Sequence, residues 1–144
     1  MTWRILAVGK PSLEFARLGI EDYSHRLAAF AKVEIHFVKP RADASDKLLE
    51  LSGGCYRIIL DETGTSFSSR AFAGEIQRLR VRGTSRLALL VGGSDGWSDA
   101  VRQQAGLLWS LGPQTLQHEL ALLVALEQVY RAETLLAGRP YHRD

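Results

Sequence analysis

Arg86-Leu-Ala-Leu-Leu-Val-Gly-Gly-Ser-Asp-Gly-Trp-Ser98 is an apolar run that ends abruptly in glycines. Leu87 to Val91 has no polar residue to turn towards water, so it predicts a strand buried on both faces. Gly92, Gly93 and Gly96 open backbone conformations and close approaches that a side chain would forbid. Ser98 and Asp99 supply the cap and the acidic first turn of a following helix. Open α/β sheets bind their ligands at this kind of place, a bare loop at the carboxyl end of a buried parallel strand. A tight connection needs one glycine at most. Three within five residues favour a ligand site and leave the ligand open.

Strands and helices alternate on either side of this stretch. Ile5, Leu6, Ala7 and Val8, within Arg4 to Gly9, predict a first buried strand. Pro11 and Ser12 open a helix whose Leu13, Ala16, Ile20, Tyr23 and Leu27 recur at helical spacing. Val33 to Val38 alternates apolar residues with Glu34 and His36, the pattern of a strand with one wetter face. Ala42 to Leu51 predicts a short helix closed by Ser52-Gly-Gly54. Tyr56 to Asp61 reads as a third strand and Glu62 to Thr65 as a turn. Ser68 caps a helix that turns Phe72, Ile76 and Leu79 inward before Gly83. Beyond the glycine loop, a helix from Ser98 to about Ala105 leads to a fifth strand, Leu107 to Leu111. A long helix from about Glu119 to Leu136 follows, and Gly138 ends it. The expectation is one α/β domain over residues 1–144 with a mostly parallel sheet. A dinucleotide fold is disfavoured, because its G-x-G-x-x-G belongs after the first strand, which here ends in Gly9-Lys-Pro-Ser12.

Composition excludes several function classes. The 144 residues are 46% apolar and 24% charged, ordinary for a globular protein. A net charge of +2 means that any nucleic acid must be held by local patches. Cys55 stands alone, so no intrachain disulfide framework and no metal cluster is expected. No signal peptide is recognisable at Met1-Thr-Trp-Arg4, and Glu119 and Glu127 bracket the longest apolar run. A cytoplasmic, membrane-free protein is the resulting expectation.

If the strands are parallel neighbours, three loops converge: Leu60-Asp-Glu-Thr-Gly64, Gly92 to Gly96, and Gly112-Pro-Gln-Thr-Leu-Gln-His118. Together they favour a small-molecule pocket, and no Lys-Ser/Thr follows the glycines as a nucleoside triphosphate site would require. Leu60, Asp61, Gly93, Gly96, Pro113, Gln114, Thr115, Leu116, Gln117 and His118 are the residues expected to surround a ligand, backbone groups holding an adenine and a ribose. Asp61 either offers its carboxylate to the ligand or caps a turn. The last helix is apolar around its circumference at Leu120 and Leu122 to Leu126. It needs cover on more than one side, from the sheet and an identical subunit, or else from a central place in the core. Arg78, Arg80, Arg82 and Arg86 form a basic cluster that reads as a solvated face. Gly138-Arg-Pro-Tyr-His-Arg-Asp144 combines Tyr141, His142 and Arg143, a stacking and phosphate-binding set, although such ends are often frayed.

The whole chain resembles the ribosomal RNA large-subunit methyltransferase H family, minimal members of the SPOUT class. The likeness is carried by Ile5 to Gly9, Leu60-Asp61 with Gly64, Leu90 to Gly96, Trp109 to Leu111, and Thr115-Leu116 with His118. Glu127 with Tyr130-Arg-Ala132 and the closing Pro140-Tyr-His-Arg143 complete it. The resemblance implies a trefoil knot at the carboxyl end, a rare exception to unknotted topology. It also implies homodimers that transfer methyl from S-adenosyl-L-methionine to N3 of a pseudouridine in 23S rRNA of the assembled ribosome. Tyr141, His142 and Arg143 would then be catalytic, beside the partner's cofactor. A non-catalytic ribosome-binding module on the same fold is the competing reading, separated from the enzyme by S-adenosylmethionine binding. Two residues depart from the family pattern. Gln117 replaces a common proline and is expected to loosen the cofactor loop. Leu122 replaces a basic residue and is expected to remove a charge near the dimer or RNA surface.

Overall fold

Apolar five- to seven-residue runs joined by amphipathic helices assemble here as five parallel strands with helices on both faces. The computed structural model describes all residues 1–144. The elements are β1 (Thr2–Val8), α1 (Glu14–Leu27), β2 (Lys32–Val38), α2 (Ala44–Leu51), β3 (Tyr56–Ser66), α3 (Ser69–Val81), β4 (Arg86–Val91), α4 (Asp99–Arg102), β5 (Leu107–Ser110) and α5 (His118–Leu136). Strand order is β2-β1-β4-β3-β5, and every pairing is parallel.

The central place of β4 accounts for its composition. Leu87, Leu89 and Val91 join Trp3, Ile5, Ile58 and Trp109 in a core closed by α1, α3 and α5. Ala88 and Leu90 face the other way, with Leu6, Ile59, Leu48, Trp97 and Val101 of the α2 and α4 layer. Leu87, Leu89 and Leu90 are fully buried, each contributing about 1.5–3 kcal/mol by leaving water. Crossovers moving one way along the sheet (β1 to β2, β3 to β4) use the α1/α3 face. Those moving the other way use the α2/α4 face, as one handedness requires. Edge strand β2 exposes Lys32 and His36 on its wetter side, as its alternation predicts.

Several boundaries differ from the sequence expectation. Glu62 to Thr65 is not a free turn, because β3 continues to Ser66. Leu60 and Thr65 both lie opposite Trp109 of β5, so the residues between them bulge out of the ladder. Gly64 backs onto β5 there: a Cβ on it would lie 2.5 Å from the Leu108 carbonyl. The α4 helix is one turn long and stops at Arg102, short of Ala105. Helix α1 begins at Glu14, and no side chain of its own caps it.

Helix α5 lies between α1 and α3. Leu122, Ala125, Leu126, Val129 and Ala132 are buried in the main core. Leu123 presses on Gly19 of α1, leaving no room for a side chain there. On the α3 side, Ser69 Oγ donates to Gln128 Oε1 at 2.7 Å, and Arg80 pairs with buried Glu133, which also accepts from Trp3 Nε1 at 2.9 Å. Most of the helix is therefore covered within the chain, the central-core alternative, while Leu120, Ala121 and Val124 stay partly exposed. Leu122 does not face a surface at all. It is 2% exposed, so the expectation of a lost surface charge at this position is corrected.

Candidate cofactor cleft

The carboxyl ends of β4, β3 and β5 are neighbours in the sheet, so the three loops that follow them meet. They enclose a cleft of about 540 Å³ walled by Leu60, Asp61, Gly93, Gly96, Gln114 and Thr115, with Leu116, Gln117 and His118 closing one side. Of the sequence-proposed ligand residues, Pro113 alone is absent from this wall, and it lines a smaller adjoining recess. Gly96 (φ 68°) and Gly112 (φ 129°) hold left-handed backbone, with open space where a Cβ would stand.

Trp97 sets the depth of the glycine loop. Its indole Nε1 donates to the Leu60 carbonyl at 2.8 Å, tying the loop after β4 to the end of β3. The ring lies against Gly92, where a Cβ would come within 3.1 Å of it. Asp61 is both a cap and a charged wall residue. Its Oδ2 accepts from Thr63 N at 3.0 Å and from the Thr63 hydroxyl, and its Oδ1 accepts from Arg102 Nε at 3.2 Å. Burial favours the protonated form, but the Thr63 and Arg102 hydrogen bonds outweigh it and hold the carboxyl below its ordinary value. Asp61 is thus a fixed anion at the cleft edge.

Gln117 tightens the loop that it was expected to loosen. Its Oε1 accepts from Glu119 N at 2.8 Å and Leu120 N at 3.0 Å, capping α5. The next carboxylate reaches across to another helix. Glu119, 6% exposed, accepts from Ser12 N at 2.7 Å, Leu13 N at 3.0 Å and Ser12 Oγ at 3.1 Å, and so caps α1 from outside.

Tyr141, His142 and Arg143 do not reach this cleft within one chain. Tyr141 lies on the middle of α5, its hydroxyl 3.0 Å from Tyr23 Oη and donating to Glu127 Oε1 at 3.0 Å. Arg131 packs over its ring at 4.8 Å and donates to His142 Nδ1 at 3.2 Å. The other ring nitrogen, Nε2, then carries the proton given to Asp144 Oδ1 at 2.9 Å. Asp144 is held in turn by a two-pronged contact from Arg70. The segment is docked rather than frayed, and the Arg143 side chain stands exposed with no hydrogen bond or ion pair. Glu127 is nine residues beyond His118 on α5, about 14 Å along its axis.

The family model described as "Predicted SPOUT methyltransferase" matches residues 1–142. A relative from Thermus thermophilus named ribosomal RNA large subunit methyltransferase H is 46% identical over 143 residues, covering 99% of each chain. The chain belongs to the ribosomal RNA large subunit methyltransferase H family of SPOUT methyltransferases. The Deinococcus radiodurans member of that family is 42% identical over 99% of both chains. Among solved structures, a probable methyltransferase from Bordetella pertussis aligns over 91% of this chain and 93% of its own, with TM-score 0.62 and 16% identity. A ribosomal RNA small subunit methyltransferase E from Neisseria gonorrhoeae, bound to S-adenosyl methionine, covers 92% of this chain and 65% of its own, with TM-score 0.53 and 14% identity. At such identities these two establish a shared fold and no more. No helix is long and apolar enough to cross a membrane.

Trp97, Arg102 and Glu119 were not identified from the sequence as site residues. Arg102 had a signal, since it follows Asp99 by three residues on a helix, the spacing of a charge pair. Trp97 and Glu119 had none, because their partners come from β3 and from the loop before α1.

Proposed function

We propose that this chain transfers the methyl group of S-adenosyl-L-methionine to N3 of a pseudouridine in 23S rRNA of the large ribosomal subunit, within the assembled ribosome in the cytoplasm. Full-length identity of 46% to a protein named for large-subunit rRNA methylation carries the reading. The cleft agrees with it. Its volume of about 540 Å³ is in the usual range for a small-molecule pocket, and its wall combines bare glycine backbone, apolar Leu60 and Leu116, and the Asp61 carboxylate. Backbone groups near Gly93, Gly96 and Pro113 to His118 would hold adenosine, and the acidic edge would suit the cationic end of the ligand.

Bound S-adenosylmethionine supplies an already electrophilic methyl group. The protein then has to align donor and base nitrogen and keep water out, which rigid loops tied by Trp97 and Gln117 favour. Arg143, free and always charged, suits a phosphate or carboxylate. Both ring nitrogens of His142 are engaged while the segment is docked, one by Arg131 and the other by Asp144. Tyr141, kept protonated by burial and then by the Tyr23 and Glu127 contacts, acts as donor and stacking surface.

The separation of cleft and closing segment supports a homodimer in which Tyr141 to Arg143 of one subunit complete the cleft of the other. Leu13, Phe15 and Leu18, exposed on the first turns of α1, and Leu120 and Val124 on α5 offer its apolar surface. The knot and the single catalytic domain over residues 1–144 belong to the same reading, supported by family membership and by the return of α5 between α1 and α3. The decisive experiment is mass spectrometry of 23S rRNA from a strain lacking the gene, with and without the purified chain and S-adenosylmethionine. A methylpseudouridine should vanish and be restored. Its persistence in the deletion strain would refute the reading.

A further inference from the structure

One cluster of cations without ion-pair partners lies beside the cofactor cleft. Nine of the 18 Lys and Arg residues form ion pairs with carboxylates. The unpaired nine fall into three groups. Arg139 and Arg143 belong to the closing segment. Lys32, Arg57, Arg82 and Arg86 sit at the amino-terminal edge of the sheet, with Arg57 tied to Ser52 and Leu49. Lys10, Lys39 and Arg41 are all exposed, on the loops that follow β1 and β2 at the carboxyl edge.

Backbone contacts hold these last three together and fasten them to the cleft. Gly9 N donates to Val38 O at 2.7 Å, which sets Lys10 beside Lys39, and Arg41 N donates to Lys39 O at 2.8 Å. Gly93 of the cleft wall packs on Val8, just before the Lys10 loop, with room for a Cβ only at 3.3 Å. At its far end the same loop is clamped by Glu119, the neighbour of cleft residue His118. Asp43, the closest acidic residue in sequence to Arg41, is already drawn to Lys47 at 3.7 Å.

We infer that Lys10, Lys39 and Arg41 form a docking rim for the phosphodiester backbone of the RNA substrate, next to the cleft that receives the target base. This deepens the rRNA reading and rests on it. A base turned into the cleft brings its flanking phosphates to the rim, and a chain with a net charge of only +2 has no global field to hold them. Phosphate contacts position the substrate, whereas the cleft and closing segment act on the base. Glu119 is then a positioning residue, keeping the Lys10 loop in register with the cofactor wall.

The test uses purified ribosomes from the deletion strain, with binding measured between about 50 and 250 mM salt. One variant combines Lys10→Ala, Lys39→Ala and Arg41→Ala. A charge-matched control combines Lys32→Ala, Arg82→Ala and Arg86→Ala at the opposite edge. The rim variant should raise the ribosome Kd roughly thirtyfold or more near 0.15 M salt and flatten the log–log salt slope by about 2. Its S-adenosylmethionine affinity should be unchanged, and the control should stay within about twofold of wild type. Lys39→Glu with Arg41→Glu leaves the Lys10 loop and its Gly93 contact intact and should weaken binding at least as much. Unchanged Kd and slope, or equal losses in the control, would overturn the rim. Wild-type protein that binds ribosomes without methylating them would refute the methylation reading and leave the rim standing, while failure to bind ribosomes overturns both.

Discussion

Replacing Glu119 probes the contact that joins both helix N-termini at the cleft. The Glu119 carboxylate takes three hydrogen bonds from Ser12 and Leu13 while 94% buried, since it is 6% exposed. It supplies the cap that α1 lacks and places a negative charge at the positive end of that helix. Glu119→Ala removes the cap, at about 0.5–2 kcal/mol, while the N–H groups of exposed Ser12 and Leu13 can turn to water instead. A net loss of about 0.5–2 kcal/mol is expected, and about 0.5–1 kcal/mol for Glu119→Gln, which keeps one acceptor without the charge. Burial alone would raise the Glu119 pKa, but the Leu13 and Ser12 hydrogen bonds prevail and hold it below the usual 4.5. A group with a depressed folded pKa contributes fully above its unfolded value and loses that contribution as pH falls through the folded one. The gap between wild type and Glu119→Gln should therefore be constant from neutrality to about pH 5 and close below about pH 4. Urea unfolding at fixed protomer concentration, followed by the fluorescence of buried Trp3, Trp97 and Trp109, measures it. An unchanged Glu119→Ala midpoint, or a Gln gap that ignores pH, would refute the clamp.

Gly93→Val places a branched side chain between Val8 and the ligand, and calorimetry should show at least a tenfold loss of S-adenosylmethionine affinity, about 1.4 kcal/mol, in a folded protein. The Arg143 side chain is exposed and makes no hydrogen bond or ion pair within its own subunit, so Arg143→Ala removes none. It should leave melting unchanged yet remove most methylation of deletion-strain ribosomes, far more than Arg82→Ala does; equal activity would make the closing segment irrelevant to catalysis. Val124→Asp puts a charge on the partly exposed stripe of α5 and should convert a sedimenting dimer to monomer at micromolar concentration. A dimer that persists would move the interface elsewhere.

How much of this was legible beforehand follows from the range of each interaction. The β4 strand announced itself because a run without polar residues has no wet face to offer, and the central position in the sheet is its consequence. Convergence of the three loops followed from parallel order alone. What stayed hidden depends on partners far along the chain: Trp97 bonds Leu60 across 37 positions, Arg102 bonds Asp61 across 41, and Glu119 bonds Ser12 across 107. Glu62 to Gly64 carry turn residues and bulge out of the ladder, while pairing with β5 resumes at Thr65 and prolongs the strand. Leu122 misled because helical position, not residue pattern, decides which side of α5 meets the sheet. The Gln117 side chain replaces rigidity from a ring with rigidity from two hydrogen bonds.

The site is split along α5, and that division makes the subunit question answerable by mixing. Its first turn borders the cleft, whereas Glu127 and Arg131 farther along hold Tyr141 and His142. The Arg70–Asp144 pair is exposed and adds little to holding the segment, so its outermost residues can turn towards a neighbour. Consider a dimer of one Gly93→Val chain and one Arg143→Ala chain. If each cleft is completed by its own subunit, one cleft is blocked and the other lacks its arginine, so the mixed dimer is inactive. If completion comes from the partner, the intact cleft of the Arg143→Ala chain meets the intact Arg143 of the Gly93→Val chain, and one of the two sites works. With random reassortment half of the dimers are mixed, so methylation should recover to about a quarter of the wild-type rate from two nearly inactive parents. No recovery, with mixed dimers demonstrated by mass, would return the closing segment to its own subunit.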